Sequence, residues 1–172
     1  MKNQKGISLV ELIVVIAILA VVTAVVTISI GTLSSWNVTS CMERLETTLS
    51  RTKVDAMSKE NIIVTLKQNA KGEYVIKETG RQEEIIGKSS LTVSYIDSLS
   101  VEHPIDTTGF MLTYDRASGA LKPIIQEVKN TGEIIYQWDG SNYLYCSKIK
   151  ITNGHSTQIL VLVKETGKTY VQ

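Results

Sequence analysis

The chain has 172 residues, with 18 basic and 17 acidic side chains and a formal net charge of +1. Such a nearly neutral chain has no overall electrostatic attraction to nucleic acid or to an anionic membrane surface, which excludes binding driven by net charge alone. Pro and Phe are scarce, while β-branched residues are abundant beyond residue 60. This composition favours a sheet-rich domain of about 110 residues, a common domain size.

The first predicted element is an apolar stretch over residues 7–30, in which Glu11 is the only charged residue. As a helix, about twenty apolar residues span roughly 30 Å of hydrocarbon, the thickness of a bilayer core. Lys2 and Lys5 precede the stretch, and the next charge beyond it is Glu43. Because cytoplasmic flanks carry the excess of lysine and arginine, the amino terminus is predicted inside and the rest of the chain outside the cytoplasmic membrane.

Glu11 is the unusual residue of this stretch. An ionisable side chain inside a membrane-spanning helix is costly and usually marks a function. The alternative is a simple signal anchor that happens to carry a glutamate. A secretory signal with a small-residue cleavage site fits less well, because no such site follows the apolar stretch.

Residues 5–19, KGISLVELIVVIAIL, resemble the prepilin signal of type IV pilins and type II secretion pseudopilins. The resemblance implies that residues 1–6 are a leader, cut after Gly6 by a prepilin peptidase, and that the new terminal residue, Ile7, is N-methylated. It also implies assembly with other pilin subunits by a membrane platform protein and a cytoplasmic ATPase. Glu11 matches the glutamate of this family, whereas Ile7 stands where many members have Phe.

Cleavage after Gly6 would give Ile7 an α-amino cation close to the membrane surface. A carboxylate buried in lipid needs a partner that offsets its desolvation. The Ile7 amine of an incoming neighbour would supply that partner for Glu11 and set the axial register of the two helices. Glu11 is therefore interpreted as an assembly contact and not as a catalyst.

Residues 31–60 are predicted to continue the helix with an amphipathic pattern. Apolar or small side chains recur every three or four residues and form one stripe: Met42, Leu45, Leu49, Thr52 and Ala56. Joined to the first segment, this makes one helix of about 50 residues, roughly 75–80 Å long. Gly31 at the junction is either a weak point of the helix or a small residue that permits close packing.

Beyond residue 60 the pattern changes to short strands separated by turn residues, which predicts an antiparallel β-sheet head over residues 61–172. Strands are expected at residues 62–68, 73–78, 91–96, 109–114, 121–128, 133–138, 143–152, 156–163 and 169–171. Residues 69–72, Asn-Ala-Lys-Gly, are predicted to form a hairpin loop between the first two strands, and Asn153-Gly154 between two alternating strands is the clearest hairpin turn. The fold class is therefore α+β, a long helix packed on an all-β head, as in the pilin fold.

This order of elements resembles the GspH/FimT-type minor pilins and pseudopilins. Residues 110–119 are similar to a strand–turn segment of that group, and residues 149–154 and 159–171 are similar to its terminal hairpin and last strand. The resemblance implies a structural filament subunit. Its head would lie outside the cytoplasm, at the cell surface or in an extracellular filament.

Cys41 lies on the apolar stripe of the helix and Cys146 in a predicted strand. Both would be outside the cytoplasm, where a disulfide persists. Such a bond would close a loop of about 100 residues and stabilise the fold by a few kcal/mol. The alternative is two buried free thiols.

The remaining candidate sites are weak. The two histidines, His103 and His155, lack the spacing of a zinc site, and no paired acids, nucleophile or phosphate loop indicate an enzyme or a cofactor. Trp138 belongs either to the sheet or its rim, or to a ligand platform.

DNA capture by the head is a second hypothesis. Four lysines near the carboxyl terminus could form a basic strip: Lys148, Lys150, Lys164 and Lys168. The alternative is that these lysines are solvated residues protecting exposed strands.

Overall fold

The computed structural model describes residues 9–59 and 61–172, with the backbone alone over residues 24–35. One helix, α1, runs over Leu9–Ser58, 50 residues, and is continuous through Gly31. The prediction of a single helix of this length is confirmed. In its last turn the Ser58 hydroxyl bonds back to the carbonyl of Asp55 at 3.0 Å, and Asn61 follows with a φ of 56°.

Eleven strands follow within the described residues, and every pairing between them is antiparallel. They are β1 Ile63–Gln68, β2 Tyr74–Glu78, β3 Glu84–Gly87, β4 Thr92–Asp97, β5 Glu102–Pro104, β6 Phe110–Thr113, β7 Ile125–Val128, β8 Ile134–Tyr136, β9 Cys146–Thr152, β10 Thr157–Val163 and β11 Lys168–Val171. One sheet has six strands in the order β3-β2-β1-β6-β7-β8, and the other has five in the order β11-β10-β9-β4-β5.

Nine of these strands coincide with the predicted ones, although several are shorter. The predicted strand over residues 121–128 begins only at Ile125, and the one over residues 143–152 begins at Cys146. Strands β3 and β5 were not predicted. Both strands lie at sheet edges. Strand β5 has only three residues, one of them Pro104, and this is too short for a recognisable strand pattern in the sequence.

Both clear hairpins are found. Strands β1 and β2 pair around the loop that begins at Asn69, and β9 and β10 pair with Thr152 opposite Thr157. In the second turn Asn153 Oδ1 accepts hydrogen bonds from the backbone N–H groups of His155 and Ser156, at 3.0 and 2.8 Å. These local bonds close the Asn153-Gly154 turn, as the sequence predicted.

The apolar stripe of α1 is buried against both sheets. Met42, Leu45 and Leu49 are each 1% exposed and share one core with residues from both sheets, such as Leu112 and Ile149. The helix contacts β1, β3 and β6 of the first sheet and β9, β10 and β11 of the second. The α+β architecture, a helix followed by an antiparallel β domain, is therefore confirmed.

The predicted membrane span over residues 7–30 lies partly outside the described residues. Within the described part of the chain, no stretch of helix combines the length and the apolar composition that a membrane crossing requires. The predicted leader, residues 1–6, lies outside the described residues altogether.

Candidate functional site: the amino-terminal helix and its attachment to the head

The first turns of α1 expose an almost entirely apolar surface. Every residue from 9 to 23 is exposed. Eleven large apolar side chains in this segment are 50–74% exposed: Leu9, Val10, Leu12, Ile13, Val14, Val15, Ile16, Ile18, Leu19, Val21 and Val22. Covering them would be worth on the order of 10–20 kcal/mol. An apolar surface of this extent indicates an interaction site.

Glu11 lies among these side chains, in the first described turn of the helix, and is itself exposed. It is the only ionisable residue among residues 9–23. The one hydroxyl in this segment, Thr23 Oγ1, bonds to the Leu19 carbonyl at 2.9 Å, so it is satisfied within the helix. The carboxylate is thus the only charged group that this part of the helix offers to a covering surface.

The second half of α1 is held to the head by a buried carboxylate. The side chain of Glu78, on β2, is 1% exposed and lies 3.2 Å from both Arg51 Nε and Arg81 Nε. Thr52 Oγ1 donates a further hydrogen bond to Glu78 at 3.3 Å. Arg81 also contacts Asp55 on the helix at 3.0 Å and, through this bond, holds the pKa of Asp55 below its ordinary value.

Further polar contacts fasten the same half of the helix to both sheets. Lys53 donates to the Thr166 carbonyl at 2.7 Å, and Gln158 Nε2 donates to Thr39 Oγ1 at 3.2 Å. The exposed Arg44–Glu84 pair at 3.5 Å adds a contact to β3. Sequence reasoning missed all of these contacts because the partners are 40 to 119 residues apart in the chain.

The family model described as the prokaryotic N-terminal methylation motif matches residues 1–27. The match supports a type IV pilin-like prepilin. It therefore also supports a precursor that prepilin peptidase processes, a membrane-anchored subunit that becomes exposed at the surface, and a structural role. The comparisons with curated proteins and with solved structures found no significant match.

The residues of the processing site, Gly6 and Ile7, lie outside the described residues but inside the matched segment. Glu11 lies inside the matched segment and is also among the described residues. The cleavage after Gly6, the methylation of Ile7 and the assembly contact of Glu11 therefore remain predictions.

Cys41 and Cys146 are both buried and unbonded, so the structure has the free thiols of the second alternative and not the disulfide. Burial raises the pKa of the Cys41 thiol to about 12, with Arg44 opposing this slightly. Burial also raises the pKa of Cys146. Both are core residues rather than reactive ones.

The four lysines of the predicted basic strip lie on or beside β9, β10 and β11 but differ in their surroundings. Lys150 pairs with Glu102 at 3.1 Å, and the Lys164 ammonium lies 3.9 Å from the ring centre of Tyr145. Lys148 is partly exposed on β9, and Lys168 is exposed at the start of β11. Two of the four charges are thus engaged by other side chains of the head.

The contacts of His103 were not predicted, whereas the rim was one of the places predicted for Trp138. His103 Nε2 lies 2.9 Å from Asp97, and the His103 ring stacks on Tyr95 with centres 4.8 Å apart. Trp138 is 52% exposed, which places it at the rim of the sheet and not in the core. Within the described residues no cluster of His, Cys, Asp and Glu could hold a metal ion.

Proposed function

We propose that this protein is a minor pilin or pseudopilin of the GspH/FimT type, a structural subunit of a type IV pilus or a type II secretion-like filament. The observation that carries the proposal is the exposed apolar helix segment with a single carboxylate, Glu11, inside the matched methylation motif. The chain would be cut after Gly6, methylated at Ile7 and held in the cytoplasmic membrane with its amino terminus inside. The head would lie outside.

The exposed helix surface is compatible with two successive environments, first the membrane and then the filament. Before assembly, lipid would cover the apolar side chains of residues 9–23, and in the filament the helices of neighbouring subunits would cover them. A carboxylate tolerates either environment only with a partner, because an unpaired buried charge costs several kcal/mol. The Ile7 amine of the next subunit is the partner we propose for Glu11.

The second half of α1 is attached to the head by ion pairs and by buried apolar contacts. This attachment supports a structural role for the head. A pull on the exposed half would reach the sheets through two ion pairs, Arg51–Glu78 and Asp55–Arg81, and through the buried apolar stripe of the helix. Such a head would move with its helix when a platform protein and an ATPase extract the subunit from the membrane. We do not propose DNA capture, because Glu102 and Tyr145 engage two of the four lysines that it would need.

Processing is the first test. Co-expression with a prepilin peptidase should shorten the chain by six residues, with Ile7 at the new terminus, as measured by intact mass. Gly6→Val should block this cleavage because the peptidase must approach the backbone closely. Retention of the leader beside an active peptidase would contradict the proposal.

Filament incorporation is the second test, measured as the amount of subunit in sheared filaments relative to the membrane fraction. Glu11→Ala should leave insertion and cleavage intact, because neither needs the charge, while incorporation falls sharply. Glu11→Asp should lie in between, because the charge stays and the reach shortens. Glu43→Ala, which removes an exposed acid from the second half of the same helix, is the control. Incorporation of Glu11→Ala at the parent level would exclude the assembly contact.

A further inference from the structure

The most unusual exposed surface of the head is a loop rich in aromatic residues. Residues 136–145, here called the aromatic loop, comprise the last residue of β8 and the connection to β9, and they contain Tyr136, Trp138, Tyr143 and Tyr145. Trp138 is 52% and Tyr143 50% exposed, although large aromatic rings are among the side chains that gain most from burial. Neither the core nor the proposed assembly helix accounts for this exposure.

The two exposed rings are held in a fixed arrangement. Trp138 and Tyr143 pair across the loop, with ring centres 4.9 Å apart and planes at 69°. Tyr136 meets Tyr143 edge-on, with ring centres 6.2 Å apart. The two half-exposed rings therefore form a corner, and the face of each aromatic ring carries the negative potential of its π system.

The turn at the tip of the loop is organised by a carboxylate. Asp139 Oδ1 accepts the backbone N–H groups of Ser141 and Asn142 at 2.7 and 2.6 Å. These bonds, led by the one to Asn142, lower the pKa of Asp139, so that it is ionised at neutral pH. A fixed negative charge thus stands directly beside Trp138 in the chain.

The two acids of residues 130–147 differ in their surroundings. Glu133 is paired with Lys129 at 2.8 Å, whereas Asp139 accepts backbone N–H groups of its own turn. The Asp139 carboxylate is therefore the negative charge that the loop offers to a cation. The head already shows the matching chemistry, because the Lys164 ammonium lies over the Tyr145 ring at 3.9 Å.

We propose that the aromatic loop binds a quaternary ammonium group, seated on the exposed faces of Trp138 and Tyr143 beside the Asp139 carboxylate. The methyl groups cover the rings, and the delocalised positive charge faces both the π systems and the carboxylate. A lysine ammonium fits less well, because it is compact and strongly hydrated and loses more on desolvation. A neutral sugar would cover the rings but would leave the Asp139 carboxylate without a role in binding.

Tryptophan fluorescence tests this on the full chain. Of the two tryptophans, Trp36 is replaced by Phe, which leaves Trp138 as the only reporter. The protein is kept in a neutral polyoxyethylene detergent, which carries neither a sugar nor a choline headgroup. Choline chloride should change the fluorescence with half-saturation in the millimolar range, while sodium chloride at equal concentration should not. N-acetyl-lysine methylamide should bind more weakly than choline.

Three variants in the same background locate the site. Tyr143→Ala removes one ring, and Asp139→Asn removes the charge but keeps the oxygen that accepts the turn hydrogen bonds. Each should weaken choline binding about two- to fivefold. Tyr170→Ala removes an equally exposed ring, 52% exposed, on β11 and should leave binding unchanged.

Four results would overturn the proposal. One is the absence of a saturable response to choline, and another is tighter binding of the lysine compound or of maltose. The others are choline binding that is unaffected by Asp139→Asn, and equal weakening by Tyr170→Ala. None of these readouts depends on filament assembly or on cleavage after Gly6, so failure here is distinct from failure of the proposed function.

Discussion

Arg51 on the helix and Glu78 on β2 form an ion pair, with Arg51 Nε 3.2 Å from Glu78 Oε2, in which the carboxylate is almost completely buried. The arginine remains partly exposed, with 39% of its side chain accessible. The pair is therefore asymmetric: loss of the cationic side leaves a buried charge unpaired, whereas loss of an exposed pair leaves both charges in water.

Because of this asymmetry, we expect two sets of substitutions to lower the free energy of unfolding by different amounts. Replacing both Arg51 and Arg81 by Ala should lower the free energy of unfolding by about 3–5 kcal/mol, because Glu78 is left buried without a cation. Arg44→Ala, which removes the exposed pair with Glu84 on the same helix, should cost less than about 1 kcal/mol. Urea unfolding of the full chain in detergent measures both. Equal costs would show that Glu78 does not fasten the helix.

Gly167 packs against the backbone of another turn. Its φ is +58°, and a Cβ built there would overlap the carbonyl oxygen of Gly119. Gly167→Ala should therefore separate the two turns and cost about 2–5 kcal/mol in the free energy of unfolding, from overpacking and left-handed strain together.

Gly132→Ala is the matched control for this substitution. Its φ is +83°, but nothing lies within 4 Å of the added Cβ, so only the backbone strain of about 1–2 kcal/mol should appear. If both alanine variants lower the free energy of unfolding by the same amount, the close approach of Gly167 to Gly119 does not affect stability.

The two thiols should be almost unreactive in the folded head. Because burial raises the pKa of Cys41 to about 12, its thiolate at pH 8 is rarer than that of an unfolded cysteine by roughly a thousandfold. Iodoacetamide should therefore label neither Cys41 nor Cys146 in the native protein and should label both in urea. A mass lower by two hydrogens without reductant, together with no labelling in urea, would instead demonstrate the disulfide.

Asp97 should make the head sensitive to acid. Burial by itself raises the pKa of Asp97, but its contacts with His103 Nε2 and with the Val101 and Leu99 N–H groups outweigh burial, so the pKa is lowered overall. The folded state thus binds a proton less readily than the unfolded chain, whose Asp pKa is about 3.9. The stabilisation is present above pH 3.9 and is lost as the pH falls through the lower folded value.

The measurement is the free energy of unfolding from pH 7 to pH 3, for the parent and for Asp97→Asn. The variant keeps an oxygen for the Val101 and Leu99 N–H groups, so it should be less stable at pH 7 and should lose less stability on acidification. Parallel curves for the two proteins would show that Asp97 is not responsible for the acid sensitivity.

The strand pattern shows how far local sequence determines this fold. The hairpins β1–β2 and β9–β10 were predicted with their turns because the Asn and Gly residues that close them act over a few residues. Strands β3 and β5 escaped prediction because each is short and is stabilised by only one neighbouring strand. The division into two sheets was likewise not predictable, because the pairing of β1 with β6 and of β4 with β9 joins distant segments.

The sequence by itself determined the apolar amino-terminal segment, its single carboxylate at Glu11, the methylation motif and the order of one long helix followed by strands. Each of these is a local pattern of hydrophobicity, charge or turn residues. Only the tertiary structure decided that Glu78 is buried between two arginines, that Cys41 and Cys146 are unbonded, and that Trp138 faces solvent. Burial and pairing depend on which distant surfaces meet, and this is set by the packing of the helix against both sheets.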